Sequence, residues 1–103
     1  MSTKKSETVR FLEKLTGGPV TLGGFLEAVR QGEGMTQPEF AKKLGISKSH
    51  LNDIEKGRKA VSPERAARFA RLLGYSQARM VKLALQDLVD RSGLHLHVDV
   101  KAA

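Results

Sequence analysis

The chain has 103 residues, 40% hydrophobic and 28% charged, a composition of compact soluble domains rather than of disordered chains. It has no cysteine, which excludes a disulfide scaffold, a cysteine-ligated zinc finger and a thiol nucleophile. Eighteen Lys and Arg against eleven Asp and Glu give a net charge of +7, concentrated between Thr36 and Gly74, so the chain is attracted to polyanions, nucleic acid first.

Helix punctuation is dense. Ser6 is a candidate cap for a helix over Glu7–Leu15, which Gly17 and Gly18 stop. Thr21 caps a second helix that turns Phe25, Leu26 and Val29 inward and runs out at Gly32 and Gly34. Thr36-Gln37-Pro38-Glu39 reads as a capping box, with proline tolerated in the first turn. The helix it opens buries Phe40, Ala41 and Leu44 and ends at Gly45, a residue suited to a left-handed stop. Ser47 caps the next helix, with Leu51 and Ile54 inward and Gly57 at its end. After the short connection Arg58–Val61, Ser62-Pro63 opens a helix carrying Ala66, Phe69, Ala70 and Leu73 on its apolar side.

Ser76 caps a last, longer helix to about Arg91. Its apolar residues Met80, Val81, Leu83, Ala84, Leu85, Leu88 and Val89 cover an arc too broad for one buried stripe, so a second side needs a partner. After Gly93 the period changes to two: Leu94, Leu96, Val98 and Val100 alternate with His95, His97, Asp99 and Lys101, the pattern of a half-buried strand. Nothing else in the chain reads as a strand. The partner expected for it is the same strand of a second copy, then another protein, then the chain's own helices. The expected organisation is an N-terminal helix and linker over 1–19, a domain over 20–74, and an extension over 75–103 that forms a homodimer through 76–100.

The helices Gln37–Leu44 and Ser47–Lys56 are joined by a turn too short for an antiparallel hairpin, so they must cross steeply. Such a pair can lay its second helix in the major groove of DNA. Lys48, Ser49, Asn52, Asp53 and Lys56 lie off its apolar side. Lysine can donate to guanine, asparagine can bond bidentately to adenine, and aspartate can accept from cytosine. Spacing alone leaves a solvated helix face, with Asp53 and Lys56 paired three residues apart, as an equal reading.

The ungapped run from Thr36 to Gly57 resembles the Cro and lambda-repressor type (Xre) helix-turn-helix family. The likeness lies in Thr36-Gln37, Ala41, Gly45-Ile46-Ser47, Leu51, Ile54-Glu55 and Gly57, and it extends over about residues 20–74. Pro38 and Phe40 are mild departures that suit a first turn and a core site. The resemblance implies an all-α, five-helix fold, here with the added C-terminal β-strand. It implies base reading by Lys48, Ser49 and Asp53, with Asn52 close by. It implies phosphate contacts by Thr36 and Gln37, with Gln37 also bracing the second helix, and by Lys56, Arg58 and Lys59. It implies that Arg30 and Glu55 form an internal ion pair. An acidic Asp53 in the groove is uncommon in the pattern and bears on base preference.

Other residues carry plainer readings. His95, His97 and Asp99 share one face of an alternating segment, and neighbours on one strand converge poorly on an ion, so no metal site is expected. Arg65, Arg68 and Arg71 read as a solvated helix face, and His50 either touches a phosphate or packs half-buried. No phosphate loop, catalytic triad or carboxylate pair is present, so neither an enzyme nor a cofactor is expected.

The expected function is sequence-specific binding of double-stranded DNA by a homodimer on a pseudo-palindromic operator, with repression of transcription. The second reading is an antitoxin that binds a protein toxin and regulates its own operon; the run Ser62–Gly74 resembles the matching helix of HigA-like antitoxins. A third is an adaptor that binds a partner without DNA. The opening residues lack the apolar run of a secretion signal and no stretch can span a bilayer, so a cytoplasmic, nucleoid-associated protein without membrane contact is expected.

Overall fold

A computed structural model describes residues 20–103, and the helix expected over Glu7–Leu15 lies outside them. Five helices follow one another: α1 Leu22–Gly32, α2 Gln37–Leu44, α3 Lys48–Glu55, α4 Pro63–Leu73 and α5 Gln77–Arg91. Each begins at the hydroxyl residue read from the sequence. The side chains of Thr21, Thr36, Ser47, Ser62 and Ser76 each accept a hydrogen bond from a backbone N–H of the first turn, supplying partners that the helix itself cannot. At Thr36 the box closes in both directions: its Oγ1 accepts from the Glu39 N–H, and its own N–H donates to Glu39 Oε1 at 2.9 Å. The Thr36 backbone N–H first, then the Thr36 hydroxyl, hold the Glu39 carboxyl below its ordinary pKa.

One core unites all five helices. Phe25, Leu26 and Val29 of α1 meet Phe40 and Leu44 of α2, Leu51 and Ile54 of α3, Phe69 and Ala70 of α4, and Met80 and Ala84 of α5. Val61 pins the α3–α4 connection to it. Phe25 and Tyr75 add an edge-to-face contact, ring centroids 5.3 Å apart. With only Met80 and Ala84 fully buried, α5 keeps Val81, Leu83, Leu85 and Val89 half-buried and leaves Leu88 41% exposed. Among the described residues the broad apolar arc is therefore only partly covered.

The seat of α1 on α3 depends on Gly23. A side chain there would overlap the Ile54 carbonyl oxygen, so backbone lies directly on backbone. This is what brings the start of α1 against the end of α3.

The C-terminal strand expected at Leu94–Val100 is corrected: among the described residues no strand is formed. The segment turns back on α5, where Gln86 supplies what a strand would have supplied. Its Nε2 donates to the Leu96 carbonyl and its Oε1 accepts from the Val98 N–H, each at 2.8 Å. A carboxamide, like a peptide unit, carries both an N–H donor and an acceptor oxygen, and so satisfies the two groups without a sheet. The alternating pattern is also only half used. Val98 and Val100 are half-buried, while Leu94 and Leu96 remain 52% and 60% exposed. Between the tail and α5 lies a cleft of about 430 Å³ lined by Leu83, Gln86, Asp90, Leu94 and Leu96.

Replacing Gly23 with alanine improves helix propensity and yet should destabilise the protein by about 1–3 kcal/mol, because α1 must lift off the Ile54 carbonyl. Thermal unfolding of Gly23→Ala should show a lowered Tm with unchanged helical content at low temperature.

Candidate nucleic-acid interface

The α2–α3 unit is built by local chemistry. Gly45 ends α2 in the left-handed region (φ 74°), and the Ile46 N–H reaches back to the Ala41 carbonyl at 3.0 Å. Ser47 then opens α3, its Oγ accepting the His50 N–H at 3.0 Å. Three residues thus separate the helices. Ile46 packs against the core, and Leu51 and Ile54 set which side of α3 faces inward. Lys48 and Ser49 are left exposed at the start of α3, with Asn52 and Asp53 half-buried further along and Lys56 exposed at its end.

Below that outer face lies an ion pair. The Glu55 side chain is fully enclosed, and its two oxygens receive Arg30 Nε at 2.8 Å and Arg30 Nη2 at 3.1 Å. Arg30 also donates through Nη1 to the Met35 carbonyl, and Gln37 Nε2 donates to Glu55 Oε1 at 2.9 Å. The carboxylate hydrogen bond holds the Arg30 guanidinium above its ordinary pKa. The internal Arg30–Glu55 pair implied by the family resemblance is therefore present. Gln37 has a further partner, Asn52 Oδ1 at 3.1 Å, so it braces α3 from α2 as the resemblance implies. Asn52 carries this internal bond on the oxygen that a bidentate adenine contact would use. Thr36, at the head of the same helix, spends its hydroxyl on the cap.

Asp53 does not pair with Lys56. Its carboxylate instead takes Arg58 Nε at 2.9 Å and lies 3.8 Å from Lys59 Nζ. The left-handed Gly57 (φ 78°) makes this possible by folding the chain back. The Asp53 carbonyl accepts both the Arg58 N–H at 2.8 Å and the Lys59 N–H at 3.2 Å. Arg58, by hydrogen bond, is the main reason the Asp53 carboxyl sits below its ordinary pKa. From the other side, Arg91 at the end of α5 donates to the Gly57 carbonyl at 2.8 Å.

The sequence reading missed the role of Arg65. It departs from the solvated series: Arg68 and Arg71 are exposed, whereas Arg65 is half-buried with Nη1 3.3 Å from both ring nitrogens of His50. His50 is the half-buried packing residue of the two readings weighed for it. No spacing signal marks a contact between separate helices. Burial first, then Arg65 and Lys59, push the His50 pKa down, and Asp53 opposes them.

Lys48, Ser49, Asn52 and Asp53 thus share α3, Gln37 touches Asn52, and Arg58 and Lys59 fold onto Asp53. Among the described residues no group of His, Asp and Glu, His95, His97 and Asp99 included, is placed to hold a metal ion. Nor is any helix among them long and apolar enough to cross a membrane.

The sequence is similar to those of known proteins. A family model described as a helix-turn-helix domain matches residues 21–83, more than half of the chain. The ImmF control region 10 kDa protein of Bacillus phage phi105 is 32% identical over 72 residues, covering 70% of this chain and 79% of that protein. No solved structure matches.

Arg30→Ala would leave the enclosed Glu55 carboxylate without its charge partner, a loss of about 3–5 kcal/mol of stability measurable by denaturant unfolding. His50 favours its neutral form in the folded state, so its stabilising contribution is present above the ordinary histidine pKa of about 6.5 and is lost as pH falls through the folded value. Tm should therefore decline less between about pH 7 and 5 in His50→Gln than in the parent protein.

Proposed function

Because the chain belongs to the helix-turn-helix domain family, we propose that it is a sequence-specific, double-stranded-DNA-binding transcriptional regulator of the Xre type, acting by binding and not as an enzyme. One observation carries the reading. The Arg30–Glu55–Gln37–Asn52 network locks α3 from behind and leaves Lys48 and Ser49 free at its outer face. Rigid backing of this kind is what base reading requires, because a contact of one or two hydrogen bonds discriminates only if its donor is held in place. The control-region name of the phi105 relative is in keeping with a regulator.

In this reading Lys48 and Ser49 meet base edges, with Asn52 contributing beside Gln37. Lys56, Arg58 and Lys59 meet phosphates at the far end of α3, and the start of α2 at Thr36 and Gln37 meets the backbone on the near side. The protein represses from a pseudo-palindromic operator as a homodimer that sets two α3 helices about 34 Å apart in a cytoplasmic, nucleoid-associated complex. The exposed Leu88, Leu94 and Leu96 within the 76–100 region support an association surface there. The same exposed residues support the second reading, an antitoxin that presents this region to a protein toxin.

A titration of duplex from upstream of the protein's own gene against a shuffled duplex, at two salt concentrations, tests the proposal. A preference that persists near physiological salt supports it, and equal, steeply salt-sensitive binding to both duplexes rejects it. Lys48→Ala should lose about 1–3 kcal/mol on the preferred duplex and relax preference at one base pair, with Tm unchanged.

A further inference from the structure

The most basic part of the proposed interface contains its own counterion. Arg58 and Lys59, 57% and 59% exposed, lie over the Asp53 carboxylate, which is 27% exposed. The carboxylate thus sits beneath the two cations that face solvent. Glu55, two residues on, is enclosed and committed to Arg30, so it does not act on this surface.

We propose that Asp53 determines specificity by restraint: its carboxylate engages Arg58 and Lys59 in place, offsets one of their two charges, and so suppresses binding to duplex DNA of arbitrary sequence. This deepens the DNA-binding reading above and rests on it. Sequence-independent affinity comes from Lys and Arg side chains that displace the cations condensed on the DNA phosphates, and the release of those cations drives binding. Cations already engaged by a fixed carboxylate neutralise fewer phosphates and displace fewer of those ions. Phosphates reaching Arg58 or Lys59 must compete with Asp53 and gain less from dilution of salt. Base-edge contacts by Lys48 and Ser49 are untouched by this competition, so the ratio of specific to non-specific binding rises.

The geometry separates the charge of Asp53 from the shape it supports. Its main-chain carbonyl holds the Arg58 and Lys59 N–H groups independently of the side chain, and Arg91 holds the Gly57 carbonyl. Asn at position 53 keeps an oxygen acceptor for Arg58 Nε while removing the charge. Asp53→Asn therefore tests restraint with the loop in place.

The experiment is titration of a shuffled duplex across a salt series with the full chain, for the parent, Asp53→Asn and Asp53→Glu. Asp53→Asn should bind about tenfold more tightly near physiological salt, with a slope of log affinity on log salt steeper by about one. Asp53→Glu, which restores the charge, should return both values toward the parent. Thermal melting checks that each variant is folded, and Asp53→Ser serves as the neutral variant if Asp53→Asn is not. Unchanged or weaker binding of the shuffled duplex by a folded neutral variant overturns the inference and leaves the DNA-binding reading standing. A change confined to one base pair of a preferred duplex overturns it in favour of direct base reading by Asp53. Absence of binding to any duplex by the parent overturns the DNA-binding reading and this inference with it.

Discussion

The enclosed carboxylate of Glu55 constrains the rest of the molecule. A charge taken out of water must be met by donors of fixed geometry, and here they come from α1 and α2 while the carboxylate belongs to α3. Three helices are thereby tied at one point, and the Met35 carbonyl between α1 and α2 is tied to the same guanidinium. Hydrophobic burial brings these helices together but is tolerant of small rotations. The forked Arg30–Glu55 contact is not, because both of its bonds must form at once. The apolar contacts of Leu51 and Ile54 set which side of α3 faces inward, and this pair fixes its rotation more finely.

The surface above the pair is layered. Asn52 is engaged from behind by Gln37, Asp53 is engaged from the side by the loop that follows, and Lys48 and Ser49 stand at the end of the helix nearest the turn. Exposure falls from Lys48 and Ser49 to Asn52 and Asp53, while positive charge gathers beyond them in Lys56, Arg58 and Lys59. In the proposed DNA-binding reading, base recognition and electrostatic attraction fall at opposite ends of one short helix.

Much of this was legible because it is local. A hydroxyl residue ahead of each helix and a glycine in the turn after it are governed by backbone groups within a few residues, and all five caps lie where the sequence places them. The Arg30–Glu55 pair was legible only through resemblance, since 25 residues separate the partners. Three features were not legible. Arg65 meets His50 across two helices, and no periodicity within either announces it. Asp53 turns to Arg58 and Lys59 because Gly57 reverses the chain, which defeats the helical spacing rule that favoured Lys56. The tail alternates as a strand does, but alternation reports a preference for two unlike faces and not the presence of a neighbouring strand. Gln86 lies within α5 and carries no mark of its task.

That task sets how the molecule comes apart. The tail's backbone is attached by two bonds to one carboxamide, and bonds of this kind contribute only about 1 kcal/mol each, far less than a domain's cooperative unfolding requires. The tail can therefore detach while the five-helix core stays intact, as a separate, low-energy opening. Val98, whose N–H is held by Gln86, then exchanges its amide proton through that opening, while the amides of the buried Leu51 and Ile54 require a larger one.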